Sequence, residues 1–115
     1  MEIKRYETKK RMSKAVIHNN TAYLCGQVAK DYDKGIKEQT ITTLETIEEL
    51  LSNIGSNKDK ILSATIYIKD MSLFQDMNEI WDNWLNEGFA PARACVQAKM
   101  ASEKILIEIS IIAAI

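Results

Sequence analysis

The stretch Phe89-Ala90-Pro91-Ala92-Arg93-Ala94-Cys95-Val96-Gln97-Ala98, with the run Lys104-Ile105-Leu106-Ile107-Glu108-Ile109 that follows it, decides how this chain is read. It holds the only proline of the sequence. Pro91 fixes its own φ and disfavours helix at the residue before it, so the next segment starts extended. From Ala92 to Met100 the side chains alternate, with Arg93, Cys95, Gln97 and Lys99 on one face and small or apolar residues on the other. Ala101-Ser102-Glu103 makes a turn. A last strand then puts Ile105, Ile107, Ile109 and Ile111 on one face and Leu106, Glu108, Ser110 and Ile112 on the other. A lone arginine and a lone carboxylate inside such strands cost free energy unless each has a partner or a task. Arg93 and Glu108, with Cys95 beside them, are therefore the candidate functional groups, and a small anionic ligand is the candidate occupant.

Working back from this stretch, the segment Ser72–Asn86 carries Leu73, Met77, Ile80, Trp81, Trp84 and Leu85 at helical spacing. Asp70 or Ser72 caps it, and Ser72 to Gln75 fits a capping box. Asn78 lies off the apolar stripe, as a surface residue would. Lys60–Lys69 alternates, with Leu62, Ala64, Ile66 and Ile68 expected inward. From Ile36 to about Ile54 the period is again helical, through Ile41, Leu44, Ile47 or Glu48, Leu51 and Ile54, and Gly55 stops it. Before that, Ala15–His18 and Thr21–Cys25 flank Asn19-Asn20, a pair that tolerates the positive φ of a type I′ hairpin turn. Gly26 after Cys25 marks either a strand irregularity or a close backbone approach. Residues 3–6 make a short strand or an arm.

The expected order is β-β-α-β-α-β-β over a single domain, 1–115: an α+β mixed sheet with hairpins at both ends and both helices packed on one face. Cys25, Arg93, Cys95 and Glu108 are expected on the open face, which is apolar enough to predict self-association.

The composition narrows the function. With 15 basic and 16 acidic residues the formal net charge is −1, which leaves no electrostatic footprint for nucleic acid or for an anionic membrane. No run approaches the ~18 apolar residues of a membrane span, and the charged N-terminus has no signal region, so the expected location is cytoplasmic. Cys25, Cys95 and the single histidine do not make a zinc site or a disulfide scaffold, and no metal is expected. His18 reads as a strand residue beside a turn. No phosphate loop or dinucleotide fingerprint is present.

Chemically, Arg93 presents a planar fork that matches a carboxylate bidentately. A sheltered Glu108 could hold or activate a water. Together they suit hydrolysis of a polarised C=N bond; the competing reading is an Arg93–Glu108 ion pair that only completes a subunit interface. The two thiols read as buried and inert.

These residues resemble the RidA family, also called YjgF or L-PSP endoribonuclease-like. The resemblance rests on Leu24-Cys25-Gly26-Gln27, Ile66-Tyr67-Ile68-Lys69-Asp70, Met77-Asn78 and, above all, Pro91-Ala92-Arg93-Ala94-Cys95-Val96 with Ile107-Glu108-Ile109. It implies a chorismate-mutase-like fold and a homotrimer with sites in clefts between subunits. It implies that Arg93 binds a substrate carboxylate, that the Cys95 backbone lines the pocket, that Glu108 activates water, and that Asn78 lies near the site. The implied activity is hydrolysis of reactive 2-imino acids, such as 2-iminobutanoate and 2-iminopropanoate, to 2-oxo acids and ammonia, with no cofactor. Two positions depart from the deaminase branch: Met12 stands where its pocket tyrosine falls, and Cys25 stands in place of its serine. A trimer that binds a 2-oxo acid without turnover is the alternative. A ribonuclease is disfavoured by the acidic balance.

Overall fold

Seven strands and two helices build the chain, in a computed structural model that describes residues 2–115. The strands are β1 (Lys4–Thr8), β2 (Ser13–His18), β3 (Thr21–Leu24), β4 (Gln27–Val28), β5 (Ile61–Ile68), β6 (Ala92–Gln97) and β7 (Ile107–Ala114). Helix α1 (Ile36–Asn53) joins β4 to β5, and α2 (Phe74–Trp84) joins β5 to β6. All strands form one sheet in the order β1-β2-β3-β7-β5-β6, with β4 also on β7. Only β5 and β6 run parallel, as a βαβ crossover through α2 requires. The result is the expected α+β fold with a mixed sheet and two helices.

The sheet has more strands than the sequence pattern suggested. Within the segment 3–6, Lys4, Arg5 and Tyr6 belong to a longer edge strand, β1, which pairs with β2 from Lys4↔Ile17 to Thr8↔Ser13. The β2–β3 hairpin turns as expected, with φ of 53° at Asn19 and 61° at Asn20. The hairpin expected between the last two strands does not form. β7 instead inserts between β3 and β5, antiparallel to both, and leaves β6 on the far side of β5. The reason is burial: Ile107, Ile109, Ile111 and Ala113 are each 1% exposed or less, which only a central strand under both helices can provide.

The core lies between the sheet and the helices. Ala64, Ile66 and Ile68 of β5 meet Ile107, Ile109 and Ile111 of β7 below Leu44, Ile47 and Leu51 of α1 and Met77 and Trp81 of α2. Two expectations of the amphipathic pattern fail in detail. Leu62 is 51% exposed, because a bulge at Ile61–Ser63 adds one residue to β5 and turns Leu62 out while Ile61 stays in. Ile41 is also exposed, while α1 buries Gln39, Thr40 and Thr43. Gln39 is satisfied there: its Nε2 donates to the carbonyls of Lys34 and Lys104, both at 2.9 Å, and its Oε1 accepts from the Leu106 N–H at 3.0 Å. A residue that clamps three separate segments does not follow a hydrophobic stripe.

Helix α1 ends at Gly55, φ 84°, whose N–H donates to the Ser52 carbonyl while the Ser56 N–H donates to Leu51, a Schellman pattern. The capping box at Ser72 does not form. Asp70, the other candidate, accepts from the Ser72 N–H at 2.8 Å and caps a short 3₁₀ turn, Met71–Leu73, that leads into α2. No described helix is long and apolar enough to cross a membrane.

Candidate functional site

Strand register settles where the candidate groups face. Arg93 pairs with Ala64, Cys95 with Ile66 and Gln97 with Ile68. Paired residues share a face, so Arg93 and Cys95 lie on the helix side of the sheet, at its β6 edge. Glu108 pairs with Tyr67 of β5 and Val28 of β4 and lies on the open side, with Ser110. The expectation that Arg93, Cys95 and Glu108 share the open face is therefore corrected. It assumed a β6–β7 hairpin, and the insertion of β5 between those strands breaks that register.

Arg93 is held from above by α2. Its Nη1 donates to Asn78 Oδ1 at 2.7 Å, and its guanidinium carbon sits 5.6 Å from the Trp81 ring centroid and 5.8 Å from that of Phe74. Trp81 is a core residue, as its spacing suggested, and it also carries the arginine. Asn78 is off the core stripe because it faces β6, a contact that helical spacing alone does not reveal. Arg93 remains exposed at the sheet edge with its other N–H donors unengaged by side chains. Cys95, half-buried next to it, has its thiol pushed up by burial, an effect that the Arg93 charge partly offsets.

Glu108 sits in a different setting. Between Tyr23↔Ile112 and Gln27↔Ile109 the β3–β4 side has one more residue than β7, a bulge at Cys25–Gly26. The bulge turns Gln27 inward, where its Nε2 donates to the Cys25 carbonyl at 3.1 Å and to Cys25 Sγ at 3.2 Å. It also lays Gly26 directly against Glu108. A methyl group at Gly26 would stand 2.9 Å from Glu108 Cδ and closer still to Oε2. Gly26 thus meets both readings of its place in the sequence: it sits in a bulge of the strand and allows a close approach to Glu108. Burial pushes the Cys25 thiol up, against the Gln27 hydrogen bond and the Lys14 charge.

Glu108 and Gly26 line an open cavity of about 390 Å³ with Tyr67, Ser110, Lys99 and Met100. Tyr67, Ser110 and Lys99 were not singled out from the sequence as site residues; their alternation with core residues along β5 and β7 was the available signal for the first two. Met12 occupies the β1–β2 turn, 53% exposed, and is not brought against Arg93 or Glu108 within the chain. The six candidate residues therefore fall into three groups: Arg93, Asn78 and Cys95 at the β6 edge; Glu108 and Cys25 about the Gly26 bulge; and Met12 apart. Among the described residues no cluster of His, Cys, Asp and Glu could hold a metal.

The model of the family described as Endoribonuclease L-PSP matches residues 2–115. The RutC family protein YoaB of Escherichia coli is 44% identical over all 115 residues, covering the whole of both chains. The chain belongs to the YjgF/RidA family. Its fold agrees with that of solved YjgF relatives. A YjgF protein from Neisseria meningitidis superposes with a TM-score of 0.95 at 38% identity, over 99% of this chain and 95% of that one. An uncharacterized protein from Pseudomonas aeruginosa does so with the same TM-score at 37% identity, over 98% of each. The YjgF fold therefore accounts for the topology in full, including the central β7 that displaced the expected hairpin.

Proposed function

We propose that this protein is an enamine/imine deaminase that hydrolyses 2-imino acids to 2-oxo acids and ammonia in sites shared between the subunits of a homotrimer. The observation that carries the reading is the Arg93 assembly: a fixed cation, oriented by Asn78 and two aromatic rings, with unengaged donors at an exposed sheet edge. A carboxylate is the group that fits such a fork. Glu108 is the second element, a carboxylate braced on Gly26 at the wall of an open cavity.

Arg93 and Glu108 face opposite sides of one sheet. A small molecule reaches both only if the β6 edge of one copy meets the open face of another. Exposed apolar side chains on that open face, Tyr23 and Val96, support such an assembly. The rival reading, an Arg93–Glu108 ion pair that only completes the subunit interface, predicts instead that Arg93→Ala breaks the assembly into smaller species by light scattering.

In the reaction, Arg93 holds the carboxylate of the 2-imino acid. Water attacks the imine carbon as Glu108 accepts a proton from it, and the C=N electron pair moves to nitrogen. Glu108 passes that proton to the nitrogen, giving a neutral carbinolamine. The carbinolamine then collapses: Glu108 takes the hydroxyl proton and delivers it to nitrogen, the C=O bond forms, the C–N bond breaks, and nitrogen leaves as ammonia carrying its own proton and the two from water. No oxidant is consumed and no cofactor enters the balance.

The second reading, a trimer that binds 2-oxo acids without turnover, draws on Cys25 and Met12. The Cys25 thiol is held in its protonated form by burial, and Met12 offers no proton donor. A coupled assay separates the two. An amino-acid oxidase generates 2-imino acids in situ, and release of the 2-oxo acid is followed with wild type and Arg93→Ala. Acceleration by wild type alone is the expected result. No acceleration, with Arg93-dependent binding of 2-oxo acids, would move the assignment to the binding protein.

A further inference from the structure

The cavity beside Glu108 has a feature that the anchoring of one carboxylate does not use. One wall is the segment joining β6 to β7, where Ala98 and Ala101 are small and Lys99 is the cation. Lys99 also lines the adjoining cavity of about 290 Å³, between Lys69, Gln97 and Glu103. The other lysines of this corner are occupied. Lys69 Nζ donates to the Glu103 carboxylate at 3.2 Å and to its backbone carbonyl at 2.6 Å, and Lys104 reaches Asp33 at 2.8 Å. Lys99 has no carboxylate within 4.0 Å among the described residues.

We propose that Lys99 is a specificity-determining residue, and that the site selects short dicarboxylic 2-imino and 2-oxo acids over their monocarboxylic counterparts. The inference rests on the reading of Arg93 as the anchor for the first carboxylate. With Arg93 so engaged, a second carboxylate entering the Glu108 cavity meets Lys99 as its counter-charge. Gly26, Ala98 and Ala101 leave the room that a longer, charged side chain needs. A lysine suits this task because its ammonium is a point charge on a flexible stem, which accepts a distal carboxylate over a range of chain lengths. An exposed pair of this kind is weak, so the expected preference is modest, about fivefold in affinity.

The test is calorimetric titration of the full-length protein with 2-oxoglutarate and with 2-oxopentanoate, which has the same carbon chain without the distal carboxylate. Wild type should bind 2-oxoglutarate about fivefold more tightly. Lys99→Met should make the two affinities equal, and Lys99→Glu should reverse their order. Equal affinities in wild type, or a preference that survives in Lys99→Met, would overturn the role of Lys99 and leave the anchor intact. Binding of both compounds that is untouched by Arg93→Ala, or binding of neither, would overturn the anchor and this inference with it.

Discussion

Arg93 and Glu108 face opposite sides of one sheet, with only β5 between their strands. A site that uses both must therefore draw them from different copies. Arg93→Ala and Glu108→Gln should each be inactive alone. Co-expressed in equal amounts, they should recover about a quarter of wild-type activity, because random mixing returns one intact Arg93–Glu108 pair in four subunit contacts. Zero recovery in mixed oligomers verified by native mass spectrometry would place both groups in one subunit's site.

The contact between Gly26 and Glu108 makes the glycine a positioning residue. Gly26 does not have a positive φ, so alanine is not strained by the backbone there; the conflict is with the Glu108 carboxyl. Gly26→Ala should turn that carboxyl away and lower kcat by about 10²-fold, the scale of a misplaced general base. Arg93-dependent binding of a 2-oxo acid should stay within about threefold of wild type, less than the 1.4 kcal/mol that marks a tenfold change. Measuring kcat and Kd on the same preparation checks both.

Asn78 sets the direction of the Arg93 fork through one hydrogen bond of 2.7 Å. Asn78→Asp keeps the shape and adds a competing carboxylate beside the guanidinium. Ligand affinity should fall by about tenfold or more, since charge-assisted bonds are worth roughly 1.5–3 kcal/mol. Asn78→Ser should cost less. Equal Kd values for all three proteins would separate Asn78 from the site.

Burial raises the thiol pKa of both Cys25 and Cys95. Alkylation by iodoacetamide near pH 8 should be slower in the native protein than in urea. Its rate should climb only above the ordinary thiol range. The sign for stability follows: a proton held more tightly in the folded state contributes stability at pH values below the unfolded thiol pKa. That contribution is lost as pH rises through the folded value. A native alkylation rate equal to that in urea would contradict the burial of these groups.

Gln39 is fully buried and ties α1 to the residues before α1 and before β7. Gln39→Leu would leave the Leu106 N–H and two carbonyls short of partners. The expected loss is about 2–4 kcal/mol, read from urea unfolding at constant m-value. A loss under 0.5 kcal/mol would show that water replaces the amide at little cost.

Local pattern was enough to read both helices, the Asn19-Asn20 hairpin, the Gly55 stop, the inward isoleucines of β7 and the residues of the Arg93 and Glu108 motifs. Each of these is fixed by neighbours a few positions away, through side-chain periodicity or the φ a turn demands. Tertiary structure decided which strands became neighbours. β7 left β6 and took the central place because its isoleucine face needed cover from both sides, and that exchange put Arg93 under α2 and Glu108 on the open face. The two bulges, at Ile61–Ser63 and at Cys25–Gly26, were equally out of reach of alternation, since one extra residue reverses the facing of everything after it and only the partner strand shows that it is there. Buried Gln39 and the rings beside Arg93 belong to the same class: their partners are distant in sequence, so burial and bonding there depend on how the elements dock.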